Sequence, residues 1–521
     1  MHTGEIFWPM TIQNLPKNMY ASLTETKKRL PNKTAIIDNF GRTYSYQDLQ
    51  EKVQIFSTWL YQCKQVRKGQ HVALLLYNSI EFCVAFLALN RLGAVVVPLP
   101  TKYKKEEILS LLEKSDVTLL ISDETFVSYF DICKEKNISL LEVKDGEKGY
   151  GLAPCSVCDN KIDLRKIEQE IKASDLALLM FTSGTTSQSK GVLLTNENMM
   201  HAVVTYQKTL KISEEERAIL PIPIYLITGL VAVFGLMLYV GGTVVLHKFF
   251  DARRVLEDIK NYQITFLHAS PTVFTLLLEQ REEYLTLPSL RIFACGSSNM
   301  PPGKIKMLKR WLPDCAFRTI YGLTETTSPA TVFPTDANES PYIGSSGVPI
   351  PGIVFKIVNS DGEEVPDGEK GEVLVKGKNV TSSYYKTQNG AIIDGWLNTG
   401  DIGYFNEAGY LYLVDRKKDM INRGGEKICS FDVENELLSI EGVEDTAVVG
   451  ILDELYGEVP VAVVKLQVAG SLTEAELKSR LKEKIAGYKV PVKIKMVDHI
   501  PMTENMKTDK KKIRELFQNQ G

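Results

Sequence analysis

A chain of 521 residues, 44 % hydrophobic and 24 % charged, has the make-up of a multi-domain globular protein with a large core, not of a disordered or collagen-like one. Its net charge of −3 offers no basic surface for nucleic acid or an anionic membrane. Eight scattered cysteines suit reduced thiols, and Met1 to Pro9 lack the charged-then-apolar order of a signal peptide, so a cytoplasmic protein is expected.

Strand and helix signals alternate through the first half of the chain. Thr34 to Asp38 reads as a strand, and Ser45 as the cap of a helix that begins at Tyr46. His71 to Leu76 reads as a buried strand, Glu81 to Arg91 as an apolar helix, and Gly93 to Leu99 and Val117 to Ile121 as further strands. Continuous Val/Ile/Leu strands separated by helices predict parallel sheets covered on both faces, with ligands at the carboxyl ends of the strands. Cys155 and Cys158 form a CxxC without a second pair or a His at zinc spacing, which predicts a loop and not a metal centre.

The apolar run Leu176 to Phe181 then feeds a polar one: Thr182, Ser183, Gly184, Thr185, Thr186, Ser187, Gln188, Ser189, Lys190, Gly191. Small hydroxyl residues around a glycine, followed by one cation, can turn N–H, O–H and ammonium groups toward a polyanion. The spacing is not that of a Walker loop. Ala218 to Leu246 carries no charge and is long enough to cross a bilayer. Pro221, Pro223, Gly241 and Gly242 argue instead for a buried helix followed by a buried strand, Thr243 to Leu246.

Next, Leu290 to Ala294 reads as a strand that opens into Gly296, Ser297 and Ser298, small residues that allow close approach to a flat ligand. Tyr321-Gly322-Leu323-Thr324-Glu325 reads as a turn opening a helix. Glu325 can offer a carboxylate to magnesium carried by a polyphosphate, and Thr324 a hydroxyl to a phosphate oxygen. After about Val348, short strands and glycine-rich turns predict a small β-barrel. The charged stretch Arg416 to Asp419 marks a hinge, and a compact α+β segment follows it to the end.

These segments resemble, in order, the motifs of the adenylate-forming superfamily: acyl- and aryl-CoA synthetases, acyl-AMP ligases, amino-acid adenylation domains and beetle luciferases. Thr182 to Val192 is similar to TSGTTGxPKGV, with Ser187 and Ser189 at a usual Gly and Pro. Tyr321 to Glu325 matches YGxTE, Trp396 to Asp401 matches WxxTGD, and Gly424-Gly425-Glu426-Lys427 resembles GGEN. Pro501 to Lys507 resembles PxTxxGK, with Met506 at the usual Gly. The resemblance implies that Gly296, Ser297, Ser298, Tyr321 and Gly322 lie at the adenine and that Asp401 and Arg416 hold the ribose. It implies that Lys507 is the adenylation lysine and Lys418 the hinge. It also implies that Gly424, Gly425 and Lys427 turn inward for thioester formation.

The implied architecture is α/β: a large N-terminal domain (1–415) of two parallel-type sheets and a small barrel (345–415), and a mobile α+β domain (416–521). The implied reaction is an ATP- and magnesium-dependent adenylation of a carboxylate with pyrophosphate release, followed by transfer to coenzyme A with release of AMP. Leu226 replaces a usual His and Lys427 a usual Asn or Gln, so a ligase that loads an acyl carrier protein stays open, while Ser187, Ser189 and Met506 keep open a non-catalytic nucleotide-binding homologue. Tyr225-Leu226 stands where amino-acid adenylation domains carry Phe-Asp, which argues against an amino-acid substrate. The pocket wall is expected to include Leu226, Ile227, Thr228, Val231 and Phe234 beside Ser297 and Ser298, and so to accept a fatty or aromatic acid.

Overall fold

The computed structural model describes the chain apart from residues 9–11, 130, 145–151, 153–162, 183–188, 388–389, 504–506 and 519–521. Two sheets carry the large domain. One has six strands in the order Ser139–Val143, Val117–Asp123, His71–Leu75, Val95–Pro98, Leu176–Thr182, Lys190–Thr195; all pairs are parallel except the last. The other has nine strands. Its centre, Ala316–Tyr321, Ile292–Cys295, Phe266–Ala269, Arg217–Leu220, Thr243–Leu246 and Thr34–Ile37, is parallel throughout.

Local chemistry explains these elements. Ser45 and Asp48 form a reciprocal capping box that starts the helix Tyr46–Cys63. The helix Ile80–Leu92 is buried along all 13 residues, as an apolar helix packed between a sheet and the helices Met19–Arg29 and Tyr46–Cys63 must be, and Gly93 ends it in the left-handed conformation at φ 70°. The charge-free stretch resolves into the strand Arg217–Leu220, a π-helix at Thr228–Gly235, an α-helix at Leu236–Val240 and the strand Thr243–Leu246. Among the described residues, no helix is long and apolar enough to cross a membrane. Cys155 and Cys158 lie outside the described residues.

Where a small β-barrel is expected, the chain forms a six-stranded antiparallel sheet. His2–Thr3, Ile353–Val358, Gly371–Gly377, Trp396–Phe405 and Ile392–Ile393 follow one another, and Leu411–Arg416 also pairs with Trp396–Phe405. Among the described residues, these pairings do not close into a ring.

The small domain is built on its own five-stranded sheet around Val443–Asp453 and Gly457–Leu466. Strand alternation divides its core in two. Val448, Ala462 and Val464 pack toward Leu437 and Leu477, whereas Ala447, Val449, Val461 and Val463 pack toward Ile513 and Phe517. Four residues, the turn 417–419 and Met420, separate the last strand of the large domain from the strand Ile421–Arg423.

Candidate active site

The phosphate-loop candidate sits at a strand exit. Thr182 ends the strand Leu176–Thr182 and pairs with Lys190 on the returning antiparallel strand. Both therefore flank the loop mouth, while Ser183, Gly184, Thr185, Thr186, Ser187 and Gln188 lie outside the described residues. Lys190 Nζ stands 5.8 Å from the centre of the Tyr384 ring. The Tyr384 hydroxyl donates to Glu325 Oε1 at 3.0 Å. Tyr384 thus connects the loop lysine to the expected magnesium carboxylate. Nothing in its sequence neighbourhood marks it out, because the pairing is made across 59 residues.

Glu325 and Thr324 occupy a single 3₁₀ turn, Thr324–Thr326, instead of the start of a longer helix. Gly322 makes the turn possible: a Cβ there would lie 1.3 Å from the Ser328 carbonyl oxygen. The fully buried Asn379 fastens the turn from below. Its Nδ2 donates to the Thr326 carbonyl at 2.7 Å and to the Pro329 carbonyl at 2.6 Å. The Thr381 N–H donates to the Glu325 carbonyl at 2.7 Å.

Tyr321, Asp401 and Arg416 form the centre of the site. The Tyr321 hydroxyl donates to Asp401 Oδ2 at 2.6 Å, and Arg416 Nε lies 2.8 Å from Asp401 Oδ1. Asp401 and Arg416 face each other in register on antiparallel strands, which is why residues 15 apart in sequence meet. Burial lifts the Asp401 carboxyl above the usual range, and Arg416 only partly opposes it. Burial disfavours the Arg416 charge, yet Asp401, Tyr321, Asp419 and Glu325 together outweigh that and hold the guanidinium above its ordinary value. Burial and then the Asp401 charge push the Tyr321 hydroxyl well up. The motifs pointed to Tyr321 and Asp401 separately; the hydrogen bond between them was not legible in either.

Gly296 continues the strand Ile292–Cys295, and a Cβ on it would approach the Ile320 carbonyl oxygen to 3.1 Å. Ser297, at φ 74°, and Ser298 are exposed where the chain leaves the sheet. Leu226 and Thr228 are half-buried, whereas Ile227, Val231 and Phe234 belong to the main core.

Lys507 comes to this cluster from the small domain. Its ammonium is held below the ordinary lysine value, first by desolvation and then by Arg416 and Lys418, against the pull of Glu325 and Asp401. The side chain still reaches solvent. A short ladder holds its backbone: the Thr503 N–H donates to the Lys507 carbonyl at 2.7 Å, and the Lys507 N–H to Thr503 Oγ1 at 3.2 Å. Met506 lies outside the described residues. Lys418 sits exposed in the turn 417–419. Gly424 and Gly425, at φ 60° and 95°, and Lys427 form an exposed hairpin. The structure therefore gathers Glu325, Tyr321, Asp401, Arg416 and Lys507, and leaves the Gly424–Lys427 hairpin outside.

The donor set fits a magnesium-bound nucleoside triphosphate. An ion carried on phosphates needs only one or two protein carboxylates, and Glu325 stands beside the loop mouth. Two family models cover this chain: AMP-binding enzyme over residues 23–385 and AMP-binding enzyme C-terminal domain over residues 432–507. The chain belongs to the AMP-binding enzyme family. This AMP-binding enzyme is 32% identical over 492 residues to a feruloyl-CoA synthase of an Amycolatopsis species, covering 94% of this chain and 96% of that one. It is 34% identical over 454 residues to a 2-succinylbenzoate–CoA ligase of Bacillus licheniformis, covering 86% and 90%. Among solved structures, it superposes on the o-succinylbenzoate CoA synthetase of Bacillus subtilis in complex with its acyl-adenylate intermediate. That match has a TM-score of 0.80, 29% identity and coverage of 96% of this chain and 99% of that one. ATP-bound MatB from Rhodopseudomonas palustris matches with a TM-score of 0.84, 25% identity and the same coverage.

Proposed function

We propose that this AMP-binding enzyme joins a cyclic carboxylic acid to coenzyme A by way of an acyl adenylate. One observation carries the reading: the Asp401 carboxylate, bonded by the Tyr321 hydroxyl at 2.6 Å and Arg416 Nε at 2.8 Å, lies in the electrostatic surroundings of Lys507 of the small domain. That arrangement suits the first half-reaction. A carboxylate oxygen attacks the α-phosphorus, and the bond to pyrophosphate breaks. Asp401 accepts hydrogen bonds from the ribose hydroxyls, and Arg416 holds Asp401 in place. Thr182, Lys190 and Thr324 take the phosphate oxygens. Lys507 neutralises charge between the carboxylate and the α-phosphate, where it matters most. Magnesium, when held at Glu325, screens the phosphate charge.

For the second step, the small domain turns about Lys418, with a boundary at 415/416, and the Gly424–Lys427 hairpin replaces Lys507. A thiol sulfur then attacks the acyl carbon, and AMP leaves with the electron pair. The relatives support coenzyme A as the thiol, since those named are CoA synthases and ligases. They support a ring-bearing acid too: feruloyl, 2-succinylbenzoate and a dioxo-octahydroindenyl propanoyl group appear in their names. A cytoplasmic location fits these substrates and the free buried thiols Cys83, Cys295 and Cys429.

The test is pyrophosphate release with ATP, magnesium and a panel of aromatic, alicyclic and fatty acids, with and without coenzyme A. Sustained turnover to AMP, only with coenzyme A and with a cyclic acid, is expected. Turnover with fatty acids alone refutes the acid class, and a burst that coenzyme A leaves unchanged refutes the thiol.

A further inference from the structure

Beneath the Gly296–Ser298 segment lies a buried histidine that the reaction above does not use. His268 is 1% exposed, in the strand Phe266–Ala269. Register places it on the same sheet face as Ala294 and Arg318. Strand alternation brings Gly296 and Ile320 to that face two residues further on. A Cβ on Gly296 would lie 3.4 Å from His268 Nε2, so this nitrogen looks toward the strand ends and the cleft. Its Nδ1 has no hydrogen-bond partner, and neither has the hydroxyl of Ser270, which follows the strand at the start of the helix Pro271–Leu278.

On its other side the imidazole meets the edge of Tyr206 at 5.8 Å, and the Tyr206 hydroxyl is 2.8 Å from Ser328 Oγ. Ser328 closes the turn that carries Glu325. The floor of the site therefore presents three polar but uncharged groups, the His268 imidazole and the Tyr206 and Ser328 hydroxyls. Burial pushes the His268 imidazole down to about 3, so it is neutral in use, with one N–H donor and one acceptor nitrogen. Buried polar atoms without partners are rare in folded proteins and ask for an explanation. A ligand oxygen supplies one. A second carboxylate does not, because Arg318, the cation that register places on that sheet face, donates instead to the Phe333 and Thr209 carbonyls.

We propose that His268, backed by Tyr206, determines acid specificity by hydrogen-bonding a neutral oxygen, a hydroxyl or a ketone, borne by the acid at its end remote from the carboxylate. The inference rests on the ligase reading and narrows its substrate class. A site built to bond such an oxygen rejects the analogue that lacks it far more strongly than an apolar pocket rejects an extra oxygen.

The experiment compares kcat/KM for pyrophosphate release, with coenzyme A present, on two acid pairs: 4-hydroxycinnamate against cinnamate, and an ω-hydroxy fatty acid against its parent. In the wild type, the oxygenated member of the pair turned over is expected to be favoured about ten-fold or more. His268→Leu should bring that ratio to about one while leaving the KM for ATP unchanged, and Tyr206→Phe should lower it less. A wild-type ratio of one, or an unchanged ratio in a folded His268→Leu protein, overturns the proposal. Turnover of the fatty pair alone removes the cyclic-acid reading, and the same ratio still decides the role of His268. No release with any of the four acids overturns both.

Discussion

Lys304 Nζ lies 2.8 Å from Asp445 Oδ1, and this pair joins the large domain to the small one. Lys304 also donates to Thr275 Oγ1 at 3.0 Å, so its ammonium is positioned from the large-domain side before Asp445 meets it. A second bond, Lys465 to Glu279 at 2.6 Å, lies on the same boundary. Both hold the small domain in the orientation that places Lys507 in the electrostatic surroundings of Arg416 and Asp401.

The first prediction follows from that pair. Its side chains are only 10% and 20% exposed, between the exposed and the buried case. Its loss should weaken docking by about 1–2 kcal/mol. Lys304→Met is expected to slow acid-dependent ATP–pyrophosphate exchange roughly ten-fold and to spare thioester formation from supplied acyl adenylate. Raising salt from about 0.05 to 0.5 M should move the wild type the same way, since screening weakens the pair. Equal slowing of both half-reactions would show that the pair supports folding and not domain position.

Lys507→Ala should separate the half-reactions more sharply. Removing a preorganised charge at the reacting centre typically costs about 10²–10³ in rate, or roughly 3–4 kcal/mol. Adenylation should fall by that amount, while thioester formation from supplied acyl adenylate stays within about two-fold. Rapid-quench measurement of the two steps checks it, and a comparable fall in the second step refutes the assignment.

Much of this was legible in the chain. Val/Ile/Leu runs such as His71 to Leu76 became parallel strands because burial on both faces leaves no room for alternation. Motif order brought Glu325, Asp401, Arg416 and Lys507 to one site. Three features were not legible, each for a physical reason. The helix at Thr228–Gly235 is π-helical, a difference of hydrogen-bond register that no side-chain pattern encodes. The expected barrel is an antiparallel sheet that takes His2–Thr3 from the other end of the domain, a pairing across some 350 residues. Tyr384 and Asn379 act on the Glu325 turn through single long-range bonds, which composition cannot announce.

Tyr384→Phe tests one of those bonds. It removes only the hydroxyl that donates to Glu325 Oε1, leaving the ring beside Lys190. Groups that orient a metal-binding carboxylate typically account for about 10–100-fold in affinity or activity. The variant should need about ten-fold more magnesium for half-maximal pyrophosphate release, with thermal stability almost unchanged. An unaltered magnesium titration would detach Glu325 from the metal.

Two buried histidines predict an acid limit to stability. Burial pushes His268 down to about 3, and burial with Lys378 pushes His201 to about 4, against about 6.5 for a free imidazole. Below pH 6.5, the unfolded chain takes up both protons while the folded one takes up neither, so unfolding binds protons and stability falls as pH falls. Between about pH 6 and 4, each histidine should remove roughly 1.4 kcal/mol per pH unit. His201 stops contributing near pH 4, where the folded imidazole also protonates, and His268 near pH 3. Denaturant titrations at half-unit steps measure the slope. Paired carboxylates add to it in both proteins, so the informative quantity is the difference between wild type and His268→Leu. That difference should grow by about 1.4 kcal/mol per unit as pH falls from 6 to 4. Parallel curves would mean that His268 is protonated in the folded state and not the neutral group that its burial dictates.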